Sequence, residues 1–223
     1  MEDVMGRIAV FGSDKGGVGK STTVANLAVM LAYKGISVII LKTDKNPDML
    51  SWAKKREILG LPPIPVYEAY GDVSQQIKKL AKLCGVLLVD CAGHDSVEFR
   101  SALLVSDVLL TLVKPTSMFE KETLTTVTET VRKAQASGNP DLEPFVLITR
   151  VKPNKLSDAV ELTKELTSDS VWIQPLKTRL SELDIFETAC NNGAGVHDMA
   201  RASSLSKAKA QIELLAQEIG LVA

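Results

Sequence analysis

The chain has 223 residues, enough for one α/β domain with a substantial core. Hydrophobic residues make up 45%, charged residues 24% and aromatics 4%, and the formal net charge is −1. These values exclude a disordered or low-complexity chain and a global basic field, so any nucleic-acid affinity must come from a local patch.

Cys84, Cys91 and Cys190 are far apart and form no CxxC pair. They read as reduced thiols, not as a disulfide frame or metal knot. No apolar run reaches the roughly 18 residues of a membrane span. The start, MEDVMGR, does not read as a signal peptide, so a cytoplasmic location and no membrane contact are expected.

In chain order, RIAVFGS (7–13) reads as a strand that runs into a glycine loop. A helix over 21–35 follows, closed by Gly35, and then a buried strand over 36–44. LGLPPIPVYEAYG (59–71) is a Pro-rich connection with a short strand at 64–68. Further strands are expected at 85–93, 106–115 and 143–151, and helices at 72–83, 95–105, 118–137, 155–168 and 202–219. Unbroken Val/Ile/Leu runs mark strands covered on both faces. Strand–helix alternation therefore predicts an α/β fold: a doubly wound, mainly parallel sheet with helices on both faces. No linker divides residues 1–223, which reads as one domain. Ligands of such sheets sit at the carboxyl ends of the strands, where Gly16, Asp44, Asp90 and Lys114 all fall.

The glycine loop carries the chemistry. The pattern GxxxxGK[ST] is met except at its first position, where Asp14 stands. Gly16, Gly17, Val18 and Gly19 would aim backbone N–H groups inward at a helix N-terminus, which favours polyphosphate. Lys20 would contact the β- and γ-phosphates, Ser21 would ligate Mg²⁺, and Thr22 would bond the α-phosphate. Asp90, after VLLV and before CAG, suits a Mg²⁺ held through water, or else a helix cap. Cys91 reads as a small core residue. His94 and His197 are too separated for a metal site or a triad.

KGGVGKST resembles the deviant Walker A signature of the ParA/MinD class of P-loop ATPases. LVDCAG resembles their Walker B segment, the TD at 43–44 their switch I aspartate, and LITRVKP their base-binding strand end. The short form looks most like the small plasmid-partition ATPases of the ParF type.

The resemblance implies ATP and Mg²⁺ as cofactors. It gives Lys15 a catalytic role in trans, touching the phosphates held by a partner subunit; a solvated lysine paired with Asp14 is the alternative. Asp44 would position the attacking water, or cap a turn. Where the family has D-x-D-P-Q, this chain reads Lys42-Thr43-Asp44-Lys45-Asn46, which bears on the hydrolysis rate. Arg150 would border the adenine, or form an interfacial salt bridge, and Pro175 would make the opposite wall.

Function follows as an ATP-dependent DNA-partition switch, nucleoid-associated, that dimerises on ATP, binds DNA nonspecifically and is reset by slow hydrolysis under a ParB/ParG-like adaptor. A ParA-like positioner of protein cargo, or a nucleotide switch with little hydrolysis, uses the same parts. Lys152, Lys155, Lys177, Arg179, Arg201, Lys207 and Lys209 are the candidate DNA contacts, unless they are ordinary solvated charges. The final helix, without Lys or Arg after Lys209, is expected to pack on its own domain.

Overall fold

Four runs of almost purely apolar residues form the centre of the sheet: β1 (Arg7–Gly12), β2 (Val38–Lys42), β4 (Val86–Asp90) and β5 (Val108–Val113). Nearly all their side chains are buried, because helices cover both faces. The computed structural model describes residues 5–13, 16–92, 95–115 and 119–222. It adds β3 (Val66–Glu68), β6 (Glu143–Val151) and β7 (Pro175–Ser181). The strand order is β3-β2-β4-β1-β5-β6-β7, and every pair is parallel. The mainly parallel sheet expected from sequence is thus wholly parallel among the described residues.

One face carries α1 (Lys20–Tyr33), α2 (Asp48–Ile58), α7 (Asp184–Asn191) and α8 (Leu205–Glu218). The other carries α3 (Ser74–Ala81), α4 (Val97–Leu103), α5 (Phe119–Ser137) and α6 (Leu156–Thr167). Helix α1 is buried from Thr23 to Leu31, which makes it the spine of the first layer. Helix α8 packs on β7 and α1 through Ala208, Ile212, Leu215 and Ala216. Among the described residues no helix is long and apolar enough to cross a membrane.

This topology fixes the site. Strand β1 lies between β4 and β5, with Phe11 opposite Asp90 and Gly12 opposite Thr111. The loop leaving β1 therefore emerges with β4 on one side and β5 on the other, at the carboxyl edge where open α/β sheets bind ligands.

Candidate functional site

The loop after β1 turns through two glycines that adopt left-handed backbone, Gly17 at φ 73° and Gly19 at φ 90°. Only glycine takes these angles freely, so the sequence forces a tight curl here. Gly19 then caps α1, and its carbonyl accepts from the Thr23 hydroxyl at 2.8 Å. Val18 is the buried peg of the loop. Thr149, at the end of β6, donates to the Val18 carbonyl at 2.8 Å and to that of Val113 at 3.2 Å, which ties the loop to β5 and β6. Asp14 and Lys15 lie outside the described residues, as do Gly93 and His94.

Lys20 is the first residue of α1, and its Nζ donates to Asp90 Oδ1 at 3.0 Å. The Lys20 side chain is 11% exposed and that of Asp90 4%, so this ion pair sits at the base of the loop, shielded from solvent. Ser21 and Thr22 are half-buried on the same helix turn. Ser21 faces a cavity shared with Asp48, Met49 and Trp52 of α2. Asp44 stands just beyond β2, half-buried, and its Oδ1 accepts the Asn46 amide at 3.0 Å. It thus caps the turn into α2, while Thr43 beside it donates its amide to the Asp90 carbonyl.

Lys42 departs from the family pattern, and its surroundings explain how the chain tolerates it. It is 2% exposed and lies between Asp90 on β4 and Glu68 on β3. Its ammonium turns to Glu68 Oε1 at 2.7 Å and stands 6.0 Å from the Tyr70 ring centroid. Tyr70 donates its hydroxyl to the same carboxylate oxygen at 2.8 Å. Burial pulls the Lys42 ammonium down, but the hydrogen bond to Glu68 and the nearby charges outweigh it, and its pKa stands above the ordinary lysine value. The Lys42 hydrogen bond likewise holds Glu68 below the usual carboxylate range. The charge at position 42 is thereby neutralised by β3 and leaves the Lys20–Asp90 pair intact.

A second cavity of about 120 Å³ opens beside the loop, lined by Gly19, Thr22, Arg150, Leu180, Leu183 and Phe186, among others. Arg150 takes left-handed backbone, φ 52°, and pairs with Glu187 of α7; both line this cavity. Arg150 thus lines the cavity, and its described salt bridge is to its own chain. Pro175 is a correction: it opens β7 opposite Val146 and is not among the described residues that line the cavity. The wall facing Arg150 comes instead from the far end of β7 and the turn after it, Leu180–Leu183.

Four of the seven basic candidates, Lys152, Lys155, Arg179 and Lys209, are engaged by partners within the fold. Glu218 binds the Lys177 and Thr178 amides at 2.6 and 2.9 Å, whereas Gln211 binds the Ser181 amide at 3.1 Å. Helix α8 therefore runs antiparallel to β7, so Lys207 in its first turn lies toward the carboxyl end of β7 while Lys177 lies nearer the start of that strand. Arg179 donates inward to Thr163 at 3.1 Å, and Lys209 to the Met199 carbonyl at 3.0 Å. Lys152 and Lys155 are engaged by Glu182 at 3.6 Å and Asp158 at 3.5 Å. Burial pushes the Cys91 thiol up to about 12, so it is an inert core group.

Sequence reasoning leaves three groups at this site without a role. They are Glu187, on a helix not foreseen; Thr149, whose hydroxyl joins the loop to two strand ends; and Lys114, marked only as a strand end.

Similarity to known proteins points the same way as the geometry. The chain is 32% identical to Protein ParA from Rhizobium radiobacter over 116 residues, which covers 50% of this chain and 50% of that protein. Its fold is similar to a plasmid partition protein from Borrelia burgdorferi, with a TM-score of 0.65, 19% identity and coverage of 96% of this chain and 99% of that one. It is also similar to the ATP complex of a Cyanothece McdA variant, with a TM-score of 0.73, 14% identity and 98% of both chains covered. Residues 9–184 match the model of the CobQ/CobB/MinD/ParA nucleotide binding domain. That span runs from β1 through the curled loop, the Lys20–Asp90 pair and the cavity to the start of α7, and the chain belongs to this family.

Proposed function

We propose that the chain is an ATP-driven partition switch: it binds Mg-ATP, forms an ATP-dependent homodimer, holds DNA nonspecifically and is reset by slow hydrolysis under a ParB/ParG-like adaptor. The cytoplasm, on the nucleoid, is the location that goes with this reading. The observation that carries it is the buried Lys20–Asp90 pair beneath a loop curled by Gly17 and Gly19. An ammonium so placed exchanges one anion for another when a polyphosphate enters the loop. Asp90 is then released to a second cation.

The donor set fits Mg-ATP. Mg²⁺ binds through one or two carboxylates together with phosphate oxygens and water; Asp90 and the Ser21 hydroxyl supply that set beside the loop. Mg²⁺, when bound, supplies charge neutralisation across the phosphates. Thr22 takes the α-phosphate, and Arg150 borders the base against Leu180–Leu183. Asp44 orients the attacking water once its cap on Asn46 opens. Lys15, in trans, supplies charge to the partner's phosphates as an arginine finger does.

A second reading, ATP-gated positioning of a protein cargo, is supported by the likeness to McdA. It is also supported by the inward hydrogen bonds of Arg179 and Lys209, which remove two of the seven expected DNA contacts. Co-sedimentation with DNA in the presence of ATP, ADP or no nucleotide separates the two. The partition reading expects DNA in the pellet fraction with ATP alone and a steep loss with salt. Equal binding in all three conditions, or none in any, contradicts it.

A further inference from the structure

We infer that Lys114 is a third cationic ligand of the nucleotide's phosphates, acting within its own subunit; this rests on the nucleotide reading of the same loop. Lys114 follows β5, the strand that flanks β1 on the side opposite Asp90. Two features aim its side chain at the loop. Strand β5 pairs with β1 with Thr111 opposite Gly12, so the residues just past Val113 run alongside the turn that leaves β1. Thr149 then clamps the Val113 carbonyl and the Val18 carbonyl to one hydroxyl, which fixes the spacing between strand end and loop. As a result the Lys114 Nζ stands 3.9 Å from the point where a Cβ on Gly17 would lie.

Lys114 is half-buried, and among the described residues no carboxylate pairs with it. Its contrast with the other cations of the site is informative. Lys20 is neutralised by Asp90, Lys42 by Glu68 and Arg150 by Glu187. Among the described residues, Lys114 alone of these four keeps its charge unmatched, beside the loop built to receive an anion. An ammonium in such a position is stabilised only when the anion arrives. Because β4 and β5 flank β1 on opposite sides, the ammonium approaches the polyphosphate from the side opposite the Asp90 carboxylate. Lys114 and Lys20 then bracket the chain's terminal phosphates, and the contribution of Lys114 should grow with the number of phosphates.

Equilibrium titration of the full chain with Mg-ATP, Mg-ADP and AMP tests this. A charge-assisted hydrogen bond predicts that Lys114→Gln weakens Mg-ATP about tenfold. Mg-ADP should weaken by less, and AMP not at all. Lys114→Arg should restore Mg-ATP affinity. The melting temperature of the nucleotide-free Gln variant should stay at the wild-type value, because the ammonium has no described carboxylate partner to lose. Wild-type affinity for all three nucleotides in Lys114→Gln overturns the assignment. An equal loss for all three, or no rescue by Arg, also overturns it, because that pattern means the lysine shapes the loop. A wild-type chain that binds none of the three overturns the nucleotide reading itself, which is a distinguishable failure.

Discussion

At the scale of single residues, three cations of the site are each held by an anion: Lys20 by Asp90, Lys42 by Glu68 and Arg150 by Glu187. Lys42 stands where the family pattern has an aspartate, and the chain compensates with Glu68 and the Tyr70 hydroxyl. Breaking a buried pair from one side strands a charge, whereas replacing the charge with an apolar group of similar volume does not. Glu68→Ala should therefore destabilise the fold more than Lys42→Met does, by chemical denaturation. Equal costs for both would mean that the pair is effectively solvated. The same logic applies at Asp90, which is more deeply buried than Glu68. Lys20→Ala should abolish nucleotide binding and also destabilise the nucleotide-free fold, by about 3 kcal/mol. Addition of Asp90→Asn should restore stability but not binding. If stability did not recover, the loss would lie in the loop and not in the pair.

At the scale of elements, α2 links the two halves of the site. It begins just after Asp44, with Asn46 accepting the Asp48 amide at 3.1 Å. Its inner face is fastened to the segment after α7: Trp52 donates to the Ala194 carbonyl at 3.1 Å, and Arg56 grips Asp198 at 2.6 and 3.3 Å. Since α7 carries Phe186 and Glu187 into the cavity, α2 joins the segment that holds Asp44 to the cavity wall. Arg56→Ala leaves Asp198 without its cation and should cost about 3 kcal/mol. It should also raise amide hydrogen exchange across 191–198; unchanged exchange there would show that Arg56 does not hold this segment.

Helix α2, β7 and α7 are the elements the sequence conceals, each for its own reason. In α2 only Met49, Trp52 and Arg56 are buried, and the third is charged, so the apolar stripe is too thin to read by period. Strand β7 is an edge strand that begins with proline and buries only Leu176 and Leu180, so it lacks the continuous apolar run that exposes β1, β2, β4 and β5 to recognition. With β7 unread, Pro175 is assigned to a wall that the far end of β7 supplies. Helix α7 is eight residues long and buries only Ile185, Phe186 and Ala189, too short a segment for its period to stand out. The loop from Gly16 to Thr22 is legible because its chemistry is local: glycines, a lysine and hydroxyls at fixed spacing. The cavity wall, Glu187 and the partners of Lys42 are not, because they are joined across strands that lie far apart in sequence.

For the molecule as a whole, stability and assembly answer to different groups. His197 is buried against α8, with Nε2 3.0 Å from Glu213 and its ring 5.8 Å from Tyr33. Burial lowers its pKa, the Glu213 hydrogen bond and charge oppose that, and the Lys209 and Lys34 charges add to the lowering. The fold thus holds the ring neutral. Its contribution is complete above the ordinary value of 6.5 and is lost as pH falls below it toward the lowered folded value. Between about pH 7.5 and 5.5 the denaturation midpoint of the wild type should fall more steeply than that of His197→Gln. Parallel curves would show that His197 is solvated.

The proposed assembly depends on the loop. The proposed switch requires that a triphosphate, held by Gly16–Thr22 and seen by Lys15 of the facing copy, joins two chains. The most direct measurement is the mass of the full chain by light scattering with Mg-ATP, with Mg-ADP and without nucleotide, for the wild type and for Lys15→Ala. The expected result is a doubled mass for the wild type with Mg-ATP alone and a single-chain mass for Lys15→Ala in all three conditions, with its nucleotide affinity retained. A wild-type mass that does not change with nucleotide, or a Lys15→Ala variant that still doubles with Mg-ATP, would contradict it.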